Sequence, residues 1–285
     1  MTARRVAFSA ALVVALTVCV AFLTVPVVAI FVSSSPGDLL DGLRDPSARD
    51  ALRLSLICTS IATGIIVLVG TPAAWLLATR RFRGRALVTT LVELPLVLPP
   101  AVAGIGLLAA FGPKGLVGGA LGDLGLQPVL TTAGVVVALV FVAAPFYLRQ
   151  AQSAFEAIDR DWLDASRTLG AGELRTWLLI AIPVARGGLV TGLALAWGRA
   201  LGEFGATLMF AGSFRGVTQT VPLAIYERFA SDFDGALALS AVLVALSAAV
   251  LLTVKLLGSG SPGGSENGRE QRRGPGNGLG AGVGR

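Results

Sequence analysis

The sequence predicts an all-α protein that crosses a membrane about six times. Three observations lead to this fold class. Hydrophobic residues fill 54% of the 285 positions and charged residues only 14%, whereas a soluble domain carries roughly 25% charged residues. Several stretches contain no charge, and each reaches the ~20 residues that a helix needs to cross the hydrocarbon layer. Basic residues are concentrated in short connections that fall on one predicted side.

The predicted spans are 6–32, 54–79, 94–113, 124–148 and 235–254, which are free of charge, and 187–212, which is interrupted only by Arg199 and Glu203. Long continuous runs favour helices, because the strands of a membrane barrel alternate in polarity. The first run follows Arg4 and Arg5, so a cleavable signal peptide is the alternative there. Its length and the lack of a small-residue cleavage site after it favour a retained helix.

The orientation follows from the tendency of Lys and Arg to accumulate in cytoplasmic connections. The connection 80–85 contains four arginines, so it should face the cytoplasm. Alternation then places 33–53, 112–123 and 213–234 outside, and both termini with 150–186 inside. The outer loop carries Asp38, Asp41, Asp45 and Asp50, and the inner tail carries Lys255, Arg269, Arg272 and Arg273. The net charge of +6 therefore reflects orientation in a lipid bilayer of the inner or plasma membrane, and we expect no nucleic-acid binding.

Composition divides the chain into three regions. Residues 1–53 are predicted to form an N-terminal transmembrane helix and an external loop, and residues 54–257 the main transmembrane domain. Residues 258–285 are rich in Gly and Arg and contain too little apolar surface to form a core, so this cytoplasmic tail is predicted to be disordered. An interaction role for the tail is the alternative.

The residue types argue against chemistry within this chain. Cys19 and Cys58 both fall inside predicted spans, so no disulfide framework is expected. The absence of histidine argues against a zinc or haem site and against an imidazole base. The only lysines, Lys114 and Lys255, do not complete a phosphate-binding Gly-x-x-x-x-Gly-Lys pattern. We therefore expect no cofactor and no metal, and any ATP must be bound by a partner.

The segment 151–186 is predicted to form a helical hairpin at the cytoplasmic surface. Apolar residues recur in it at spacings of three and four, which places them on one helical face: Phe155, Ile158, Trp162, Ala165 and Leu169. Gly-Ala-Gly at 170–172 supplies a helix stop, and a second helix is predicted from about Glu173. An amphipathic hairpin that lies at the membrane interface without a partner is the alternative.

The spacing within this segment resembles the EAA loop of ABC-importer permeases. That pattern is Glu-Ala-Ala, three residues, Gly, nine residues, then Ile-x-Leu-Pro. Here Asp-Ala-Ser at 164–166 is followed after three residues by Gly170, and after nine more by Ile-Ala-Ile-Pro at 180–183. The spacing is intact, and the departures at Asp164, Ser166 and Ile182 are mild.

The resemblance implies a type I ABC-importer permease fold, in which this hairpin is the coupling helix that binds a groove of a separate ATPase subunit. Closure of the ATPase pair would then move the spans as rigid bodies. Carried over residue by residue, the coupling positions are Asp164, Ala165, Ser166, Gly170, Ile180 and Pro183. The family also implies a second copy of this chain and an extracytoplasmic binding protein.

Four further segments resemble the molybdate permease branch, whose relatives include sulfate and tungstate permeases. They are Leu-Pro-Leu-Val-Leu-Pro-Pro at 94–100, Thr-Leu-Gly-Ala-Gly at 168–172, Arg-Ala-Leu-Gly-Glu-Phe-Gly-Ala-Thr at 199–207, and Thr-Gln-Thr-Val-Pro at 218–222 with Ala-Ile-Tyr at 224–226. The likeness covers most of 54–251. It implies a permease that moves molybdate into the cytoplasm, with sulfate or tungstate as the alternative substrate.

Arg199 and Glu203 are four residues apart, so on one helix they share a face and can pair. An ionisable group within a span costs roughly 2.5–3.5 kcal/mol, so both should face protein or water. In one interpretation they border the translocation pathway, where Gly205 and Thr207 offer the anion weak hydrogen bonds. In the other they lock the fifth span to its neighbours.

Pro95, Pro99 and Pro100 interrupt the helical hydrogen bonds near a predicted membrane boundary, either as a kink for alternating access or as a packing feature. Two other functions remain as alternatives to an ATP-driven permease. A secondary transporter would be expected to show inverted repeats, and none is visible. A membrane-embedded enzyme would need convergent catalytic residues within the spans.

Overall fold

The computed structural model describes residues 2–34, 37, 42 and 44–258, and in these ranges the chain is helical with no strand. Among the described residues, five helices are long and apolar enough to cross a membrane, and the number is six if one bent pair counts as a single span, which agrees with the predicted fold class. Of the predicted tail 258–285, residues 259–285 lie outside the described part, as do Asp38, Asp41 and the side chain of Lys255. The helices are α1 (Thr2–Ser33), α2 (Pro46–Thr79), α3 (Arg85–Val97), α4 (Pro100–Phe111), α5 (Gly118–Asp123), α6 (Thr132–Glu156), α7 (Arg160–Thr168), α8 (Glu173–Thr176), α9 (Ile182–Leu201), α10 (Gly205–Ala211), α11 (Val221–Phe229) and α12 (Phe233–Gly258), with a π-helical turn at Trp177–Ala181 between α8 and α9.

The core of the bundle lies where α2, α6 and α9 pack together. Each of the three helices contributes buried alanines to this contact, and small side chains let helix backbones approach closely in a membrane. Tyr147 of α6 is the largest fully buried side chain, and its hydroxyl lies 2.6 Å from Thr71 Oγ1 of α2. Thr71 Oγ1 also donates to the Val67 carbonyl, and its contact with Tyr147 gives the buried tyrosine hydroxyl a hydrogen-bond partner inside the bundle.

The predicted span 94–113 is not one straight helix. It corresponds to α3 and α4, whose axes meet at 119°. Leu98 and Pro99 are extended, because each precedes a proline that disfavours the helical conformation. The pair still runs from one end of α6 to the other, since Arg85 pairs with Glu156 and the Phe111 ring packs 6.4 Å from Phe210, next to the start of α6.

Two other predicted boundaries are wrong. The predicted span 124–148 becomes a helix from Thr132 to Glu156, because Gly125 and Leu130 adopt positive φ angles before it and Thr131 caps the first turn at Gly134 N. The predicted span 187–212 begins earlier, with a helical unit from Glu173 to Leu201, and is broken at 202–204 before α10. Glu203 therefore lies beyond the helix that carries Arg199.

Long-range contacts show at which of the two ends of the bundle each connection between helices lies. At the hairpin end, Arg80 and Arg85 of the basic connection 80–85 approach Glu173 and Glu156. At the opposite end, Arg228 pairs with Asp45, and Thr132 Oγ1 donates to the Val217 carbonyl. The connections assigned to one membrane side by charge therefore lie at one end in space. α1 contacts α12, and none of its side chains from residue 4 to residue 33 is buried.

Candidate functional site

The hairpin at 157–176 is the first candidate site. The Asp159 carboxylate accepts a hydrogen bond from Asp161 N and starts α7. Gly170, with φ +81°, ends it in a left-handed turn. Gly170 N–H donates to the Arg167 carbonyl and Ala171 N–H to the Ser166 carbonyl, which is the Schellman pattern. Glycine is needed here for the positive φ angle and not for lack of space, because a Cβ placed on Gly170 would meet no atom within 4 Å.

One predicted feature of the hairpin is wrong. The apolar face was expected to run from Phe155 to Leu169, but the helix breaks at 157–159 and divides that face. Phe155 and Ile158 are buried in the bundle. Trp162, Ala165 and Leu169 instead point away from it, and Trp162 and Leu169 are 56% and 87% exposed. We call Trp162, Ala165 and Leu169 the outer face of the hairpin.

The inner face of α7 attaches the hairpin to the bundle. Leu163 and Ser166 are buried, and Ser166 Oγ lies 2.8 Å from Thr176 Oγ1 on α8. Thr176 is 1% exposed, so this hydrogen bond is shielded from water. Sequence reasoning selected Ser166 and missed Thr176, because a threonine at the start of a second helix carries no local signal of its partner.

Charged residues surround the bend. Asp164 lies 2.8 Å from Arg167, which also lies 3.3 Å from Glu173. Glu173 in turn lies 4.0 Å from Arg80 at the end of α2. All four side chains are exposed to a large extent, so these pairs contribute little to stability and mainly orient the hairpin.

Ile180 and Pro183 lie where the hairpin joins α9. Ile180 is half-buried and packs against the core, whereas Pro183 is exposed. The π-helical turn ends just before Pro183, and Ile182 N–H donates to the Trp177 carbonyl five residues back. Proline cannot donate to the preceding turn and its ring crowds the carbonyl four residues earlier, so a locally wider turn accommodates it. Trp177 Nε1 is buried without a hydrogen-bond partner among the described residues.

The second candidate site is the break between α9 and α10. Arg199 Nη1 lies 2.6 Å from Glu203 Oε2, so the residues pair although Glu203 lies past the helix end. Glu203 Oε1 accepts a hydrogen bond from Ala206 N at 2.8 Å. Glu203 is 1% exposed and Arg199 29%. Both carboxylate oxygens are therefore occupied within the chain.

α10 packs tightly against α4. A Cβ placed on Gly205 would lie 2.6 Å from Pro100 Cβ, and one placed on Gly104 would lie 2.8 Å from the Ala206 carbonyl oxygen. The two helix breaks thus meet in space. Thr207 is fully buried, and its Oγ1 has no hydrogen-bond partner in the described part of the chain. Sequence reasoning selected Gly205 and Thr207 and missed Gly104.

These arrangements are suited to binding and movement rather than to covalent chemistry. The hairpin presents an exposed apolar outer face that is bordered by charges. The paired breaks bring together an ion pair whose carboxylate is buried and a hydroxyl without a partner among the described residues. Interrupted helices provide points at which a bundle can bend.

Comparison with known proteins agrees with this architecture. Residues 66–259 match the family described as binding-protein-dependent transport system inner membrane component. The chain is 41% identical over 235 residues to the molybdenum transport system permease protein ModB of Mycobacterium tuberculosis, covering 82% of this chain and 89% of that protein. It is 32% identical to the sulfate transport system permease protein CysT of Salmonella typhimurium, covering 77% and 79% of the two chains.

Solved structures show the same fold at low identity. A chain of a bacterial alginate ABC transporter, in complex with an alginate-bound periplasmic protein, superposes with a TM-score of 0.70 at 16% identity. That match covers 89% of this chain and 94% of the other. A chain of the MetNI methionine ABC transporter in an inward-facing conformation gives 0.59 at 17% identity, covering 73% and 93%.

Proposed function

The chain belongs to the family of binding-protein-dependent transport system inner membrane components, and we propose that it is the membrane-spanning subunit of an ATP-driven importer of molybdate. The observation that carries this proposal is the hairpin, which presents Trp162, Ala165 and Leu169 outward at one end of a multi-span bundle. An exposed apolar patch with a charged border is typical of a surface that binds another protein.

The partner at this surface is an ATPase subunit. Neither Lys114 nor Lys255 completes a phosphate-binding motif, so in an ATP-driven importer a separate chain would bind the ATP. The coupling positions are Asp164, Ala165, Ser166, Gly170, Ile180 and Pro183. Gly170 sets the bend and Ser166 fixes its inner face, while Ala165 lies in the contact and Asp164 orients Arg167.

The importer has two copies of this chain, two ATPase subunits and an extracytoplasmic binding protein. The hairpin end faces the cytoplasm, together with the N- and C-termini. The arginines of the connection 80–85 support this orientation, because they lie at the same end as the hairpin. Three regions serve this assembly: 1–53 as N-terminal transmembrane helix and external loop, 54–257 as permease domain, and 258–285 as cytoplasmic tail.

The substrate is molybdate. This rests on relatives named as molybdenum permeases at 41% identity and on the segment 199–207. The sulfate permease relatives make sulfate the second candidate, since both anions are tetrahedral dianions.

Arg199, Glu203, Gly205 and Thr207 border the translocation pathway. The Arg199 charge is compensated by Glu203, so an anion passing nearby would meet no uncompensated cation that could trap it. The Thr207 hydroxyl has no hydrogen-bond partner among the described residues, and because it is fully buried here, a movement of α10 would have to uncover it before it could donate to the anion. Weak hydrogen bonds without a strong charge suit a site that must release its cargo.

Reconstituted vesicles test the proposal. The chain is assembled with its ATPase and binding protein, and uptake of molybdate is measured with ATP and with a non-hydrolysable ATP analogue. We expect uptake with ATP alone, and stronger competition by unlabelled molybdate than by sulfate. Uptake of sulfate in preference to molybdate would make sulfate the substrate. Uptake driven by an ion gradient without ATP would overturn the importer mechanism.

A further inference from the structure

We propose that Glu203 is a positioning residue for transport, which ties α10 to the end of α9 and so holds α10 against α4. A displacement of the hairpin would then displace α9, α10 and α4 in turn, and so change the bend between α3 and α4. The inference rests on the proposed function, because it assigns a role within ATP-driven transport. It differs from a ligand role, since Glu203 acts here through its neighbours and touches no substrate.

The first link joins the hairpin to α9. Residues Glu173–Leu201 form one helical unit of 29 residues that includes the π-helical turn. α7 is fastened to its start by the buried Ser166–Thr176 hydrogen bond. A displacement of the hairpin therefore moves the far end of α9 as part of the same body.

The second link crosses the break after Leu201. The Glu203 carboxylate accepts from Arg199 of α9 at 2.6 Å and from the Ala206 N–H of α10 at 2.8 Å. One buried side chain thus bridges the two helices on either side of the break. Hydrogen bonds to an ionised group are roughly twice as strong as neutral ones, and the burial of Glu203 excludes competing water.

The third link joins α10 to α4. Gly205 approaches Pro100, and Gly104 approaches Ala206 and Met209, so closely that neither glycine has room for a methyl group. Contacts at this density cannot be compressed, so a shift of α10 has to move α4. Pro100 is the first residue of α4 and follows directly on the bend.

The bonding of Glu203 also argues against direct contact with the cargo. Both oxygens are already acceptors, and a carboxylate would repel a dianion. Arg199 remains 29% exposed, whereas Glu203 is 1% exposed. The Glu203 carboxylate, although it lies beside the proposed pathway, is therefore placed to hold the break together rather than to contact the anion.

The test compares transport with ATP hydrolysis in the reconstituted complex of permease, ATPase and binding protein. For Glu203→Ala we expect uptake per ATP hydrolysed to fall about tenfold, while ATP hydrolysis stays within about threefold of wild type, because the hairpin still binds its partner. An equal loss of uptake and hydrolysis would overturn the proposal, since a general structural defect lowers both. Unchanged uptake per ATP would overturn it as well.

Gly104→Ala disturbs the same linkage from the α4 side and keeps the test decisive if Glu203→Ala fails to assemble. Its new methyl group would force α10 away, so the same uncoupling is expected. Gly106→Ala is the matched control, because a Cβ on this neighbouring glycine of α4 meets no atom within 4 Å. An equal fall in uptake per ATP hydrolysed for Gly104→Ala and Gly106→Ala would contradict the role of the contact between α10 and α4.

The double variant separates a shared linkage from two independent defects. If Glu203 acts through the α10–α4 contact, Glu203→Ala with Gly104→Ala should uncouple little more than either single change. Multiplication of the two fold-losses would show that the residues act separately and would overturn the proposal. Failure of the wild-type complex to import any oxyanion would instead contradict the proposed function, so the two outcomes are distinguishable.

Discussion

Ser166 Oγ and Thr176 Oγ1 lie 2.8 Å apart in a buried contact that closes the hairpin across the Gly170 bend. The bond joins the third residue from the end of α7 to the last residue of α8. It fixes the angle between two short helices that have few other contacts with each other.

Loss of one hydroxyl should loosen the hairpin. Thr176→Val leaves the Ser166 hydroxyl buried without its partner, which costs about 1–3 kcal/mol. Faster hydrogen exchange of the hairpin amides and a lower unfolding temperature would report this. The double change Ser166→Ala with Thr176→Val should cost less than the sum of the single changes, and strict additivity would argue against a direct bond.

Gly170→Ala should destabilise the bend by about 1–2 kcal/mol, because a left-handed conformation brings Cβ too close to the following carbonyl oxygen. Gly172→Ala is the control, since Gly172 has φ −69° and open space at its Cβ position. Denaturation of both variants would measure the difference. Equal destabilisation would mean that the φ angle of Gly170 is not what selects glycine.

A charge on the outer face should prevent binding of the ATPase subunit. Leu169→Glu places a carboxylate at a side chain that is 87% exposed, and its burial in an interface would cost several kcal/mol without a partner. Leu116→Glu is the control, because Leu116 is 92% exposed at the opposite end. Co-purification of the ATPase should be lost for Leu169→Glu and kept for Leu116→Glu. If both variants still co-purified with the ATPase, the outer face would not be part of the interface.

The contact between α2 and α6 should tolerate no added methyl group at Gly70. A Cβ there would lie 3.0 Å from the Tyr147 ring, so Gly70→Ala should destabilise the bundle by about 1–3 kcal/mol. Gly64→Ala on the same helix meets no atom within 4 Å and should be neutral or slightly stabilising. Thermal unfolding in detergent or lipid nanodiscs would rank the two, and the reverse order would contradict this packing.

The proposed orientation predicts which exposed side chains a membrane-impermeant thiol reagent reaches from outside the cell. In a chain with Cys19 and Cys58 replaced by Ala, Leu116→Cys and Phe214→Cys should react in intact cells. Phe82→Cys, and Leu169→Cys in a chain expressed without its ATPase, should react only after the membrane is opened. Labelling of Leu169→Cys in intact cells would invert the assignment and remove the hairpin from the cytoplasm.

The spans could be predicted from the sequence because each depends on a local property, the length of an apolar run. The bend of the hairpin could also be predicted from the sequence, because Gly170 follows an amphipathic segment and a left-handed turn favours glycine. The pair Arg199 and Glu203 was suggested by its spacing alone, and the structure brings the two side chains together even though the helix ends between them.

The remaining features depend on contacts between distant segments. The break at 202–204 is fixed by a carboxylate that reaches Ala206 and by the packing of Gly205 on Pro100, a residue more than a hundred positions away. The division of the apolar face at 157–159 depends on the burial of Phe155 and Ile158 in the bundle. No local pattern distinguishes these apolar residues from Trp162 and Leu169, which remain outside.

The unbroken length of Glu173–Leu201 has a consequence for how small the driving motion can be. At 1.5 Å per residue this unit is about 43 Å long. A tilt of only ~10° about its midpoint displaces each end by ~4 Å, in opposite directions, which exceeds the ~2.8 Å diameter of a water molecule. A small tilt of this helix would therefore be enough to narrow a passage at one side of the membrane while widening it at the other.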